Sequence, residues 1–169
     1  MRFGNVKFID SSNGDGVRVS LYVSGCRNVC KGCFNPETWN FNFGEEYTKE
    51  TEDSIIEGCK KEYIAGLSIL GGEPFEEENQ REVLALIKRF RKEVPNKTIW
   101  MWSGYTIEDE LNVGKRKNIE GVTLDILKNI DVLVEGRFIL EKRNVLLAHR
   151  GSENQRVLNK KDIFNNISL

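Results

Sequence analysis

Three cysteines packed into eight residues, Cys26-Arg-Asn-Val-Cys30-Lys-Gly-Cys33, constrain this chain more than any other feature it carries. Spacings of four and three let one loop wrap a compact inorganic core, with each sulfur reaching a different iron of a cubane. Iron–sulfur clusters normally take four thiolates. A fourth is missing from the neighbourhood, so one iron would stay open to bind a ligand directly, as catalytic zinc keeps one open position. Two other uses of these thiols remain open at this point. A structural zinc site wants four ligands, yet the sole histidine, His149, lies over a hundred residues away. A redox pair reads as CxxC opening a helix, a spacing that Cys30 and Cys33 share. The remaining cysteine, Cys59, sits on the apolar face of a helical pattern, where it reads as a small core hydrophobe.

The 169 residues suffice for one domain, 1–169, with a proper apolar core. A formal net charge of −1 gives no overall field toward nucleic acid or an acidic membrane. The basic run Arg89 to Lys92 and the pair Lys160 and Lys161 are short and read as solvated surface. No basic segment leads into an apolar stretch at the N-terminus, so no leader is expected. No apolar run approaches the ~18–20 residues that cross a bilayer. The expectation is a cytoplasmic protein without a membrane or nucleic-acid partner. Clustered cysteines there more often bind metal or do redox chemistry than form disulfides.

Along the chain, Val17, Val19, Leu21 and Val23 alternate with more polar residues, a period-two strand running into Gly25 and the cysteine loop. Ile55, Ile56, Cys59 and Tyr63 form one face of a helix over Thr51 to Tyr63. A short strand from Gly66 to Leu70 ends at Gly71 and Gly72. Glu76 through Val94 predicts a helix with acids in its first turn, bases in its last and Pro95 after its end. Thr98 to Trp102 predicts a strand, Val122 to Asn129 a helix and Asp131 to Glu135 another strand; Val145 to Ala148 reads as a further strand or a loop. Alternating strands and helices predict right-handed βαβ units. A full eight-fold α/β barrel takes ~250 residues, so this length holds roughly five units and any barrel must be open. The pattern alone also permits an ordinary doubly wound sheet.

The turn Gly71-Gly72-Glu73-Pro74 completes the candidate site. Glycines let backbone approach a ligand closely, and Glu73 adds a carboxylate. A plain surface turn is the competing reading, but position favours a ligand site. Ligands of α/β sheets bind beyond the C-terminal strand ends, and both this turn and the cysteine loop follow strands. An open iron beside them suits an amino acid whose amine and carboxylate chelate the metal.

Cx3Cx2C followed some forty residues on by GGEP resembles the radical S-adenosylmethionine superfamily. Cys33-Phe-Asn-Pro-Glu-Thr-Trp39 and Asn13-Gly-Asp-Gly-Val-Arg18 look like its glycyl-radical-enzyme activases. The short length, Trp102-Ser-Gly-Tyr105, Asp131-Val-Leu-Val-Glu-Gly136 and Arg150-Gly-Ser-Glu-Asn-Gln-Arg156 resemble the branch acting on anaerobic ribonucleoside-triphosphate reductase. The likeness runs from about Gly14 to Arg156. It departs in two places: Gly32 stands where many members have an aromatic residue before the third cysteine, and NGDG replaces DGPG.

The resemblance implies an α/β fold, an open partial barrel of about five to six mostly parallel strands. It implies one [4Fe-4S] cluster on Cys26, Cys30 and Cys33, and S-adenosylmethionine on the open iron. Gly72 and Glu73 are then expected near the methionyl amine, and Gly32, Cys33 and Phe34 near the adenine. Asn35, Trp39, Ser103, Gly104, Arg150 and Arg156 are candidates whose structural roles weigh at least as much. The implied partners are the reductase, as a protein substrate, and a flavodoxin-type electron donor.

Overall fold

In the computed structural model, which describes residues 1–168, the described residues contain seven strands in one open sheet. They are β1 Arg2–Asp10, β2 Arg18–Val23, β3 Glu45–Glu46, β4 Gly66–Gly71, β5 Thr98–Ser103, β6 Val132–Glu135 and β7 Arg156–Asn159. The helices are α1 Lys49–Lys60, α2 Glu77–Glu93, α3 Thr123–Asn129 and α4 Lys160–Asn166. The sheet runs β3-β1-β2-β4-β5-β6-β7. Its centre, β2-β4-β5-β6, is parallel, and β1, β3 and β7 join antiparallel at the edges.

The α/β class and the open sheet agree with the sequence reading. The expected five to six mostly parallel strands are corrected to a mixed sheet of seven, parallel only in its central four. The additional strands β1, β3 and β7 flank the parallel centre and have few buried positions. The loop from Val145 to Ala148 forms no strand. Helix α1 ends at Lys60, and Tyr63 beyond it is 56% exposed while Ile64 takes the core position. Lys97 explains that stop: its ammonium donates to the carbonyls of Cys59 (2.8 Å) and Lys61 (2.6 Å), closing the helix end.

One sheet face packs against the helices. Val19, Leu21, Leu67, Ile69, Ile99 and Met101 lie fully buried in one cluster with Ile55, Ile56 and Cys59 of α1 and Val83, Leu86, Ile87 and Phe90 of α2. Strand alternation therefore turns Arg18, Tyr22, Ser68, Leu70, Trp100 and Trp102 to the other face. Arg18 there is wholly buried without a carboxylate partner within salt-bridge distance among the described residues. Five neutral oxygens take its donors: Ser68 Oγ, Thr98 Oγ1 and the carbonyls of Asp15, Leu67 and Thr98, at 2.8–3.1 Å. Ser68 Oγ in turn donates to the Asn13 carbonyl at 2.6 Å. One guanidinium thus staples the 11–17 loop to three strands, and burial lowers its pKa to about 10.

Arg18→Met leaves these oxygens unpaired and should cost about 3 kcal/mol or more of unfolding free energy in a urea titration. Cys59→Ser places an unpaired hydroxyl in the core and should cost about 1–3 kcal/mol. Iron loading of the folded Cys59→Ser protein should equal that of wild type, because Cys59 lies on the core face of α1.

Candidate functional site

Two strand ends create the site by touching through their backbones. After β2, the chain turns at Gly25 with φ +97°, where a Cβ would lie 2.3 Å from the Phe41 ring. After β4, Gly72 comes so close that a Cβ would lie 2.6 Å from the Gly25 carbonyl oxygen. Only glycine permits that approach. The amides of Gly72 and Glu73 donate to the carbonyls of Val23 (2.7 Å) and Gly25 (2.9 Å), and Asn79 bridges the carbonyls of Ser24 and Glu73. The GGEP turn and the stem of the cysteine loop are therefore one unit.

The loop itself turns through Val29 at φ +46°, a left-handed conformation that a β-branched residue adopts only under constraint. Cys26, Cys30 and Cys33 are each half-buried and line one cavity of about 660 Å³, within the usual range for a small-molecule site. The Asn35 amide donates to Cys33 Sγ at 3.4 Å. Such a donor stabilises thiolate bound to iron and tunes its potential. Burial first, then Glu73, pushes the Cys26 thiol up to about 12, and burial also raises Cys30. A metal must displace those protons on binding. Among the described residues no three His, Cys, Asp or Glu side chains converge where a single ion could sit. A cubane makes a different demand, one thiolate on each of three irons, and three thiols on one loop supply that donor set.

Glu73 is wholly buried beside them. One carboxylate oxygen accepts the Phe75 amide (2.9 Å) and the Ser103 hydroxyl (2.8 Å). The other accepts the Gly104 amide (2.7 Å) and the Asn28 side-chain amide (3.2 Å). Four donors thus draw the cysteine loop and the end of β5 onto the turn. A second buried carboxylate, Glu76, accepts the Arg27 amide (2.8 Å), the Tyr105 hydroxyl (2.7 Å), the Arg27 guanidinium (2.8 Å) and the Lys117 ammonium (2.6 Å). Burial opposes its charge, but Lys117 and the other donors prevail and hold its pKa below the ordinary value.

Phe34, Gly72 and Glu73 line the same cavity as the three cysteines, as do Asn35, Trp39, Ser103, Gly104 and Arg150. The buried Trp39 indole N–H has no acceptor among the described residues. Gly32 is placed against Leu140 and Phe138 rather than at the cavity wall. Arg156 also stays off the wall, pairing with buried Glu135 (2.8 Å) and with Glu108 (2.6 Å). Sequence reading missed Asn28 and Glu76. An asparagine between two cysteines and an acid at a helix start carry no periodic signal; only the packing shows that both are gripped.

Residues 12–158 match a family model described as a 4Fe-4S single cluster domain. The chain is 43% identical over 149 residues to an anaerobic ribonucleoside-triphosphate reductase-activating protein of Vibrio cholerae, covering 87% of this chain and 90% of that one. Proteins of the same description match from Salmonella typhi, at 40% over 157 residues (92% and 96% covered), and from enterobacteria phage T4, at 34% over 164 residues (96% of each).

Burial raises the Glu73 carboxyl from 4.5 to about 7, with Glu76 adding to the rise against the Phe75, Gly104 and Ser103 donors. Between those values the folded metal-free chain holds a proton that the unfolded chain has lost. The group therefore favours folding below pH 4.5, and that contribution disappears as pH rises through 7, with a slope of at most about 1.4 kcal/mol per pH unit. Urea midpoints of the metal-free protein measured from pH 5 to about 7.5 should show this fall, and Glu73→Gln should flatten it.

Proposed function

The chain belongs to the anaerobic ribonucleoside-triphosphate reductase-activating protein family, and from that premise we propose that it installs a glycyl radical on that reductase. The observation that carries the reading is the cavity where β2 and β4 end. Three half-buried cysteines line it, Cys33 with the Asn35 amide at its sulfur, and the described chain's remaining cysteine lies away in the core. When bound there, a [4Fe-4S] cluster supplies the electron that reductively cleaves S-adenosylmethionine, and the hydrogen abstraction that follows leaves the radical on glycine.

Cys26, Cys30 and Cys33 hold the cluster in this reading. Backbone of the Gly72–Glu73 turn receives the methionyl amine, and Cys33 and Phe34 at the cavity wall form the adenine side, with Gly32 packed behind them against Leu140 and Phe138. The Glu73 carboxylate acts by position, because its four internal donors keep the turn and the cysteine loop in register. The same proposal takes the whole chain, 1–169, as one radical S-adenosylmethionine domain of the open partial-barrel kind. Support comes from the parallel centre of the sheet and from a site at the C-terminal strand ends. The open side leaves room for a polypeptide substrate. Sulfonium cleavage needs a cluster at the reducing end of the ~ −700 to +450 mV range, which calls for a low-potential donor of flavodoxin type. Free cysteines serving as ligands suit a reducing cytoplasm.

Anaerobic reconstitution with iron, sulfide, dithionite and S-adenosylmethionine should yield 5′-deoxyadenosine, and adding the reductase should yield a glycyl signal by EPR. Cys30→Ala should load no intact cluster and give neither product. A colourless zinc protein would overturn this function, and normal cleavage by Cys30→Ala would overturn the assignment of the cluster ligands.

A further inference from the structure

A loop beside the cavity carries surface that the chemistry above does not use. Residues Arg143 and Ser152 pair as a bridge, and between them the chain closes on itself. The Asn144 amide donates to the Gly151 carbonyl (3.1 Å), and the Asn144 side-chain oxygen accepts the Leu146 amide (2.9 Å). The Trp102 indole donates to the His149 carbonyl at 2.7 Å, anchoring the loop to the end of β5. Its tip is thus held in shape, yet it presents Val145 at 79% and Leu146 at 90% exposure, the most exposed large apolar side chains described. In a chain with 30% charged residues, two adjacent aliphatic side chains in water on an internally bonded loop mark an interaction surface.

Charge sharpens the reading. From Lys142 to Arg150 the sequence is KRNVLLAHR, without one carboxylate, in a chain whose net charge is −1. Among the described residues no acid lies within salt-bridge distance of Lys142, Arg143 or Arg150. Arg143 rests over the Phe34 ring at 5.5 Å, and the Arg150 guanidinium turns to the carbonyls of Glu153 and Gln155. Arg143, Asn144 and Val145 also border the cavity, so whatever covers the tip is continuous with whatever enters.

We propose that the Lys142–Arg150 loop docks the polypeptide substrate through an acidic, apolar stretch next to the residue that enters the cavity. This inference rests on the function proposed above and adds the surface and the chemistry of the partner. Apolar contact at Leu146 supplies the anchor, and the uncompensated cations select an acidic partner and speed its encounter.

The test titrates the anaerobically reconstituted full-length protein and its Leu146→Asp variant against the inactive reductase, with complex formation and the glycyl EPR signal as readouts. Leu146 points to solvent, so the variant should fold and should form 5′-deoxyadenosine from dithionite and S-adenosylmethionine at the wild-type rate. Its reductase binding should weaken roughly tenfold or more, with radical installation slowed in step. Wild-type binding should also weaken as salt is raised. Equal binding by the variant overturns the proposal while leaving the activase function standing, and salt-insensitive wild-type binding overturns the acidic partner. A self-association that Leu146→Asp abolishes in sedimentation, with reductase binding unchanged, assigns the loop to a second copy instead. Wild type that cleaves S-adenosylmethionine but never binds the reductase overturns both inferences together.

Discussion

The buried Glu73 carboxylate is the constraint on which the site depends. A charge that far from water is tolerable only when its oxygens are occupied. Its donors come from its own turn, from the cysteine loop and from the end of β5. Segments 45 and 31 residues away in sequence are thereby fixed against one functional group. Close backbone contact between Gly25 and Gly72 brings the carboxylate to its place. Loops around a ligand site are ordinarily the least stable part of a fold; here they share one polar core.

Glu76 extends the same logic outward. By accepting the peptide N–H of Arg27, it grips the backbone immediately after the first cysteine, and Lys117 and the Arg27 guanidinium balance its charge. Glu78 adds a second, more exposed partner for Arg27, and that contact pulls its own pKa down to about 2. Two carboxylates on one turn therefore do different work. One is held by neutral donors and pushed toward protonation, whereas the other is held by cations and stays ionised.

Much of this was legible in the sequence because it obeys period or spacing. The central strands and α2 show clean apolar patterns, and their observed limits fall within a residue or two of the expected ones. The cysteine spacing and the GG pair announce themselves. What stayed hidden lacks both signals. Phe3 and Asp10 are the buried positions of β1, and Leu158 is that of β7, so neither strand alternates. Tyr63 keeps helical spacing with Cys59 although the helix has already ended, because Lys97, distant in sequence, caps it there. The grip of Asn28 and Glu76 exists only once three loops are assembled. The replacement of a proline by Asp15 in the Asn13–Gly16 turn proves consistent with a stiff loop, since Arg18 and Ser68 hold the carbonyls of Asp15 and Asn13.

Arg18 also bears on how the chain can be made. Two of its acceptors belong to Thr98, eighty residues later, and another is the carbonyl of Leu67. While the nascent chain is shorter than that, burying the guanidinium would leave the donors that Thr98 takes without oxygens. Contacts of such long sequence separation form late and slow the search for the native topology. Until β5 is made, the staple that Arg18 forms lacks two of its five acceptors and cannot close fully.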